Sequence, residues 1–273
     1  MYEDRYWCLT AQDAPVVLVV VRYAGAPRWT HLLRWDYDTG LLEPGAWTKM
    51  HVKVHRSGLS RDGRFLCYLA EGHSDGPFDP SFGGAWAVSR VPWLAALTHP
   101  EQWPAGGGES RDALSEAEQA HLWSRIGPPK GGAPPWPEMI GVGWVPSAAG
   151  RFEASGPIGD AGWIARVRHD HPGRYIHSPF AGELRYEVLR EETGQPLGDA
   201  DPGFRAAELR WAQPLPGNRL ATIDAGGRLE LRLFPSDGGP PRVLARHELA
   251  GRTPEPAESP PWARAGLAPG EIE

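Results

Sequence analysis

The segment GLSRDGRFLCYLAEG, residues 58–72, couples a turn dipeptide, Asp62-Gly63, to the run RFLCYLA, which is apolar at nearly every position. Such a run bounded by turn residues predicts a strand buried on both faces, with Leu59 to Arg61 as a shorter partner or lead-in. The same order of small residue, glycine, basic residue and apolar residues recurs in SAAGRFEASG around Gly150 and in LPGNRLATIDAGGRLELRLF around Gly217. The spacing is irregular, which suits a unit of roughly 40 residues interrupted by insertions.

Other stretches alternate with a period of two. In RLELRLF, Leu229, Leu231 and Leu233 share one face and Arg228, Glu230 and Arg232 the other, and in ELRYEVLRE, Leu184, Tyr186 and Val188 oppose Arg185 and Glu187. Alternation of this kind predicts half-exposed outer strands. The turn signals DYDTG, HPGR, DAGG and PSDGG punctuate the chain at the spacing of about 8 to 12 residues that sandwiches and propellers share. One segment departs from this pattern. LSEAEQAHLWSRIGPP has Ser115 as N-cap, Glu118 three residues on, and a Gly127-Pro128 stop, which predicts a short helix over about residues 116–126. The Pro/Gly-rich flanks WPAGGGESRD and PPKGGAPPWPEM make it an insertion, about 104–137, within a single domain spanning 1–251. Residues 252–273 read as an extended or partly disordered segment.

The turn and strand of LSRDGRFLCYLA resemble the repeats of β-propeller proteins of the WD and TolB-like kind, in which an SPDGRxLA pattern opens an inner strand, and LPGNRLATIDAGGRLELRLFPSDGGPPRVLARHEL looks like one blade. More narrowly, LSRDGRFLCYLAEG, GAWAVSRVPWLAAL and WPAGGG, within residues 58–108, are similar to a group of uncharacterised bacterial proteins with an LSPDG…GSWTAISR…WP…GGG pattern. The resemblance implies a fold, all-β and propeller-like with about five blades, and no activity, because propellers host enzymes and passive scaffolds alike.

Composition narrows the partners. A net charge of −6 argues against nucleic acid, whose binders present a basic face. The apolar run Val16 to Val21 is far too short to span a bilayer, and the opening MYEDRYW lacks a basic leader, so a cytoplasmic protein without membrane contact is expected. The two cysteines, Cys8 and Cys67, lie in apolar strand-like runs and read as buried and reduced. Thirteen tryptophans are many for 273 residues, and each large ring needs a packing partner or a ligand.

Candidate chemistry is sparse. RHDHPGRYIH holds His169, His171 and His177. A two-residue turn at Pro172-Gly173 would set Arg168 opposite His177 and His169 opposite Ile176, placing His169 and His177 on different faces, so His169 and His171 make a weak metal site and no metal is expected. In KMHVKVH, His51 and His55 would stand about 13 Å apart along a strand, too far for one ion. The loop EGHSDGPFD offers Glu71, His73, Asp75 and Asp79 for acid–base work, without any nucleophile motif beside them. Gly106 to Gly108 are followed by no Lys-Ser/Thr pair and form no phosphate cradle. Trp93, Trp103, Trp136 and Trp262 adjoin prolines in loops, where rigid rings anchor protein partners or stack on sugars. The sequence therefore reads as a binding or scaffolding protein without a cofactor, engaging a protein partner. The alternatives are a hydrolase using the Glu71 to Asp79 loop and a carbohydrate binder using the tryptophans. Oligomeric state is left open.

Overall fold

Runs of β-branched and aromatic residues, cut every few positions by glycine and Asx turns, build short strands. The computed structural model describes residues 3–24, 29–52, 57–71, 85–98, 145–146, 153–169, 184–200, 204 and 208–266. Among them the strands form four antiparallel sheets. The first contains β1 (Arg5–Thr10), β2 (Val16–Arg22), β3 (Thr30–Asp36) and β4 (Leu42–Thr48), in that order. The second contains β5 (His51–Val52), β6 (Gly58–Leu59), β7 (Phe65–Glu71), β8 (Ala85–Arg90) and β9 (Ala96–Thr98), ordered β5-β7-β8-β9 with β6 also on β7. The third contains β10 (Val145–Pro146), β11 (Glu153–Pro157), β12 (Trp163–His169) and β13 (Leu184–Arg190). The fourth contains β14 (Leu209–Leu215), β15 (Arg219–Asp224), β16 (Arg228–Leu233) and β17 (Arg242–Glu248). Two single-turn helices, α1 (Leu197–Ala200) and α2 (Pro261–Arg264), complete the described elements.

Apart from β6, which also pairs with β7, each sheet runs up and down in sequence order, the arrangement of a propeller blade, and the fold is all-β and propeller-like. Among the described residues four such sheets are present, where about five blades are expected; the 116–126 helix and its flanks lie outside the described residues. The described residues divide into two compact units. One holds the residues from Cys8 through β9 and those after Arg252, and the other holds Glu3–Trp7 and the residues from β10 to Arg252.

In the first unit, Val16 to Val21 are all buried, as a central strand with β1 on one side and β3 on the other requires. The opening motif folds as its residues dictate. Ser60 Oγ accepts from the Phe65 amide at 2.9 Å and donates to Asp62 at 2.6 Å. Gly63 adopts φ +73, and a Cβ there would meet Val16 Cβ at 2.8 Å, so the turn requires glycine. Leu59 and Gly58 then pair with Leu66 and Cys67, the expected lead-in, and Phe65 to Tyr68 are buried in succession. At β4, a Cβ on Gly45 would overlap the carbonyl oxygen of Pro92, and the Ala46 amide donates to that oxygen at 3.0 Å. The loop after β8 is thereby fastened to the edge of the first sheet.

In the second unit, two expectations need correction. The register of β12 is not the one expected from a two-residue turn at Pro172-Gly173. Arg168 stands opposite Arg185 and His169 opposite Leu184, because the alternating LRYEVLR offers a full-length partner from Trp163↔Arg190 onward. β16 is not a half-exposed outer strand either. It lies between β15 and β17, and both Glu230 and Arg232 are buried. Alternation cannot distinguish a solvated polar face from one whose charges are paired with each other. β13, by contrast, keeps its expected half-buried character.

Candidate functional site

The residues singled out by sequence fare unequally. His73, Asp75, Asp79, Trp103, Trp136, His171 and His177 lie outside the described residues. Glu71 ends β7 directly opposite His51 of β5. His169 ends β12, and among the described residues no group of three His, Cys, Asp or Glu is placed to hold a metal. Trp93 is half-buried in the loop fastened to β4, its amide donating to the Arg90 carbonyl at 2.8 Å. Trp262 is different: on α2 it is 50% exposed.

The polar clusters are built for holding structure. Asn218, in the turn between β14 and β15 at φ +58, donates to Asp160 Oδ1 at 2.5 Å and to Ser236 Oγ at 2.8 Å, while Ser236 donates to the same Asp160 oxygen at 3.0 Å. These hydrogen bonds, Asn218 first, hold the Asp160 carboxyl below its ordinary value. They join turns of the third and fourth sheets. Deeper in the fourth sheet, Glu230 is gripped by Arg232 at 2.7 Å and by Arg246 at 2.7 Å, and the Arg232 guanidinium lies over Phe204 at 5.0 Å. On the third sheet, Arg166 and Arg168 alternate with Glu153 and Glu187 at 3.2 to 3.9 Å, a solvated ladder. The Asp13 carboxyl is also held low, by its hydrogen bond from Arg61 at 2.7 Å. Carboxylates held ionised in this way suit ion pairing and not proton donation, which needs a raised value.

The aromatic cluster of the first sheet is likewise occupied with itself. Trp47 stacks on His31 with centroids 3.9 Å apart and on Tyr23 at 5.3 Å, Trp29 meets it edge-on at 6.5 Å, and Lys49 lies 5.1 Å over Trp29. Rings in mutual contact fill a gap and offer little flat surface to a sugar.

Two structural features lie beyond the sequence reading. β17 is the last strand of its sheet, and Val243 and Leu244 on it are 39% and 48% exposed. The ladder slips there, with Leu231 opposite Ala245 but Arg232 opposite Val243, so Leu244 is the extra residue of a bulge. A bulge blunts strand-to-strand pairing and leaves side chains as the means of contact. The signal in the sequence was two adjacent apolar residues, Val243-Leu244, between arginines. The second feature is Arg90, at the end of β8, whose two terminal nitrogens donate to the carbonyls of Ala265 and Gly266. Its signal was a charged residue closing an apolar run before Val-Pro.

No family model matches the chain, and no curated protein does. Among solved structures it is similar to the periplasmic gluconolactonase PpgL of Pseudomonas aeruginosa at 18% identity, covering 95% of this chain and 76% of that one with a TM-score of 0.24. The all-β, propeller-like class stands on the chain's own four meanders.

Proposed function

We propose that the protein is a non-catalytic binding or scaffolding protein that engages a protein partner. The observation that carries this reading is the exposed pair Val243 and Leu244 on the bulged outer strand β17. Adjacent aliphatic side chains flanked by arginines, on a strand rigidly backed by the buried Glu230 cluster, have the make-up of an interface patch, apolar at its centre and charged at its rim. Trp262 supplies a further exposed anchor in the other unit. Affinity capture from the native host with the wild-type chain and with Leu244→Asp tests the reading: a partner recovered by the first and lost by the second supports it, and equal recovery refutes it.

The hydrolase alternative has one observation in its favour, the placement of Glu71 opposite His51 at the end of the second sheet. A hydrolytic activity abolished by Glu71→Gln at unchanged melting temperature would replace the binding reading with this one.

A further inference from the structure

We infer that the surface around Arg90 is a seat for a proline-rich peptide segment that ends in a single helical turn, occupied in cis by residues 253–266 of the chain itself and able to take the same kind of segment from a partner protein. The inference deepens the protein-binding role and rests on it.

Three features of the seated segment define what the seat reads. The first is its main chain. Arg90, itself buried and with its guanidinium 5.8 Å over the Phe65 ring, donates to two successive carbonyls, those of Ala265 and Gly266. A guanidinium offers donors only, in a planar fork, so it selects carbonyl pairs and is indifferent to the side chains between them.

The second feature is size. Ala263 is fully buried, whereas Trp262 before it and Arg264 after it point to solvent. The seat therefore admits one small side chain and leaves its neighbours unread.

The third is the segment's own chemistry. TPEPAESPPWARAG carries Pro254, Pro256, Pro260 and Pro261. Proline lacks an amide donor and keeps its carbonyl, which matches a donor-only reader. It also restricts residues 253–260 of the detached chain to extended conformations, so those residues lose little freedom on docking, while residues 261–264 dock as the helical turn α2. Residues 252–260 contain no regular structure and no buried residue, and the ion pair from Arg264 to Glu258, at 3.7 Å, is exposed. The segment can thus leave its seat without dismantling a sheet, and a partner segment would compete with a tethered occupant whose effective concentration is of order millimolar.

The test uses the full chain and a fluorescent synthetic peptide of residues 253–266. Ala263→Glu, which places a long charged side chain where only a methyl group fits, should eject the segment in cis and let the chain bind the peptide at least about tenfold more tightly than wild type does. A peptide carrying Trp262→Ser and Arg264→Ser should bind within about threefold of the original, since those side chains are solvent-facing, and one carrying Ala263→Gln should lose about tenfold or more. Adding Arg90→Ala to the Ala263→Glu chain should abolish uptake. A folded Ala263→Glu chain that takes no peptide, or takes it equally without Arg90, overturns the inference. Should Ala263→Glu fail to fold, hydrogen exchange on the wild-type chain decides: amides of residues 253–266 should lose protection as unlabelled peptide is titrated to millimolar concentration, and unchanged protection refutes the seat. Loss of partner on Leu244→Asp alongside failure of peptide uptake would retain the binding role and reject the seat alone.

Discussion

Asn218 donates its side-chain amide to Asp160 at 2.5 Å, tying a turn of the fourth sheet to a turn of the third. The bond requires both the left-handed backbone of Asn218 and the bare Cα of Gly159, where a Cβ would overlap the Asn218 side-chain oxygen. Because the Asp160 carboxyl is held below its ordinary value of 3.8, it contributes stability that is fully present above that value and is lost as pH falls through the lower folded value. Urea midpoints of wild type and Asp160→Asn should therefore differ at neutral pH and converge at strongly acid pH. A gap independent of pH would show that the carboxylate charge plays no part.

Glu230 anchors two arginines in the fourth sheet, one of them buried. Glu230→Gln leaves Arg232 charged in a buried setting and should cost about 3 to 5 kcal/mol of stability. Replacing Glu230 and Arg232 together by leucine should recover much of that loss, because it removes the buried charge as well as its partner. Chemical denaturation of the single and double variants checks this, and an additive double variant would contradict it.

Burial pushes the Cys67 thiol up to about 12 and raises Cys8 well above its ordinary value. Since the thiolate is the reactive form, neither residue should react with a thiol reagent at mildly alkaline pH in the native protein, and both should react on unfolding. Prompt labelling of the native chain would mean that one of these strands opens.

The sequence was most legible where local chemistry decides the outcome. Ser60, Asp62 and Gly63 announce their turn, and the run after them becomes the buried strand β7 with the expected lead-in at Gly58–Leu59. Legibility failed where a pattern has two physical solutions. Arg228, Glu230 and Arg232 alternate with leucines whether they face water or one another, and only the packing of Arg246 and Phe204 settles which. A turn at Pro172-Gly173 predicts His169 opposite Ile176, yet the long alternating β13 sets it opposite Leu184. Of the residues proposed for partner binding, Trp262 is exposed and Trp93 is half-buried. Val243 and Leu244 went unread because two adjacent aliphatic residues mark a strand as readily as a surface.

Exposure of Trp262 beside a fully buried Ala263 separates the effects of two neighbouring substitutions. Trp262→Ala should leave the melting temperature nearly unchanged, whereas Ala263→Glu should lower the protection of residues 253–266 against proteolysis while the sheets stay intact. Equal proteolytic resistance in both variants would contradict the anchoring of the segment through Ala263.

The most direct measurement of the central claim is the affinity of the recovered partner for wild type, Leu244→Asp and Glu71→Gln, taken alongside their melting temperatures. Leu244 is half-exposed on a bulged edge, so its replacement should shift stability by no more than about 0.5 kcal/mol. At a binding surface centred on it, the same change should weaken the complex by about 2 kcal/mol or more, roughly thirtyfold, with Glu71→Gln indistinguishable from wild type. Undiminished affinity in Leu244→Asp at unchanged melting temperature would contradict the account.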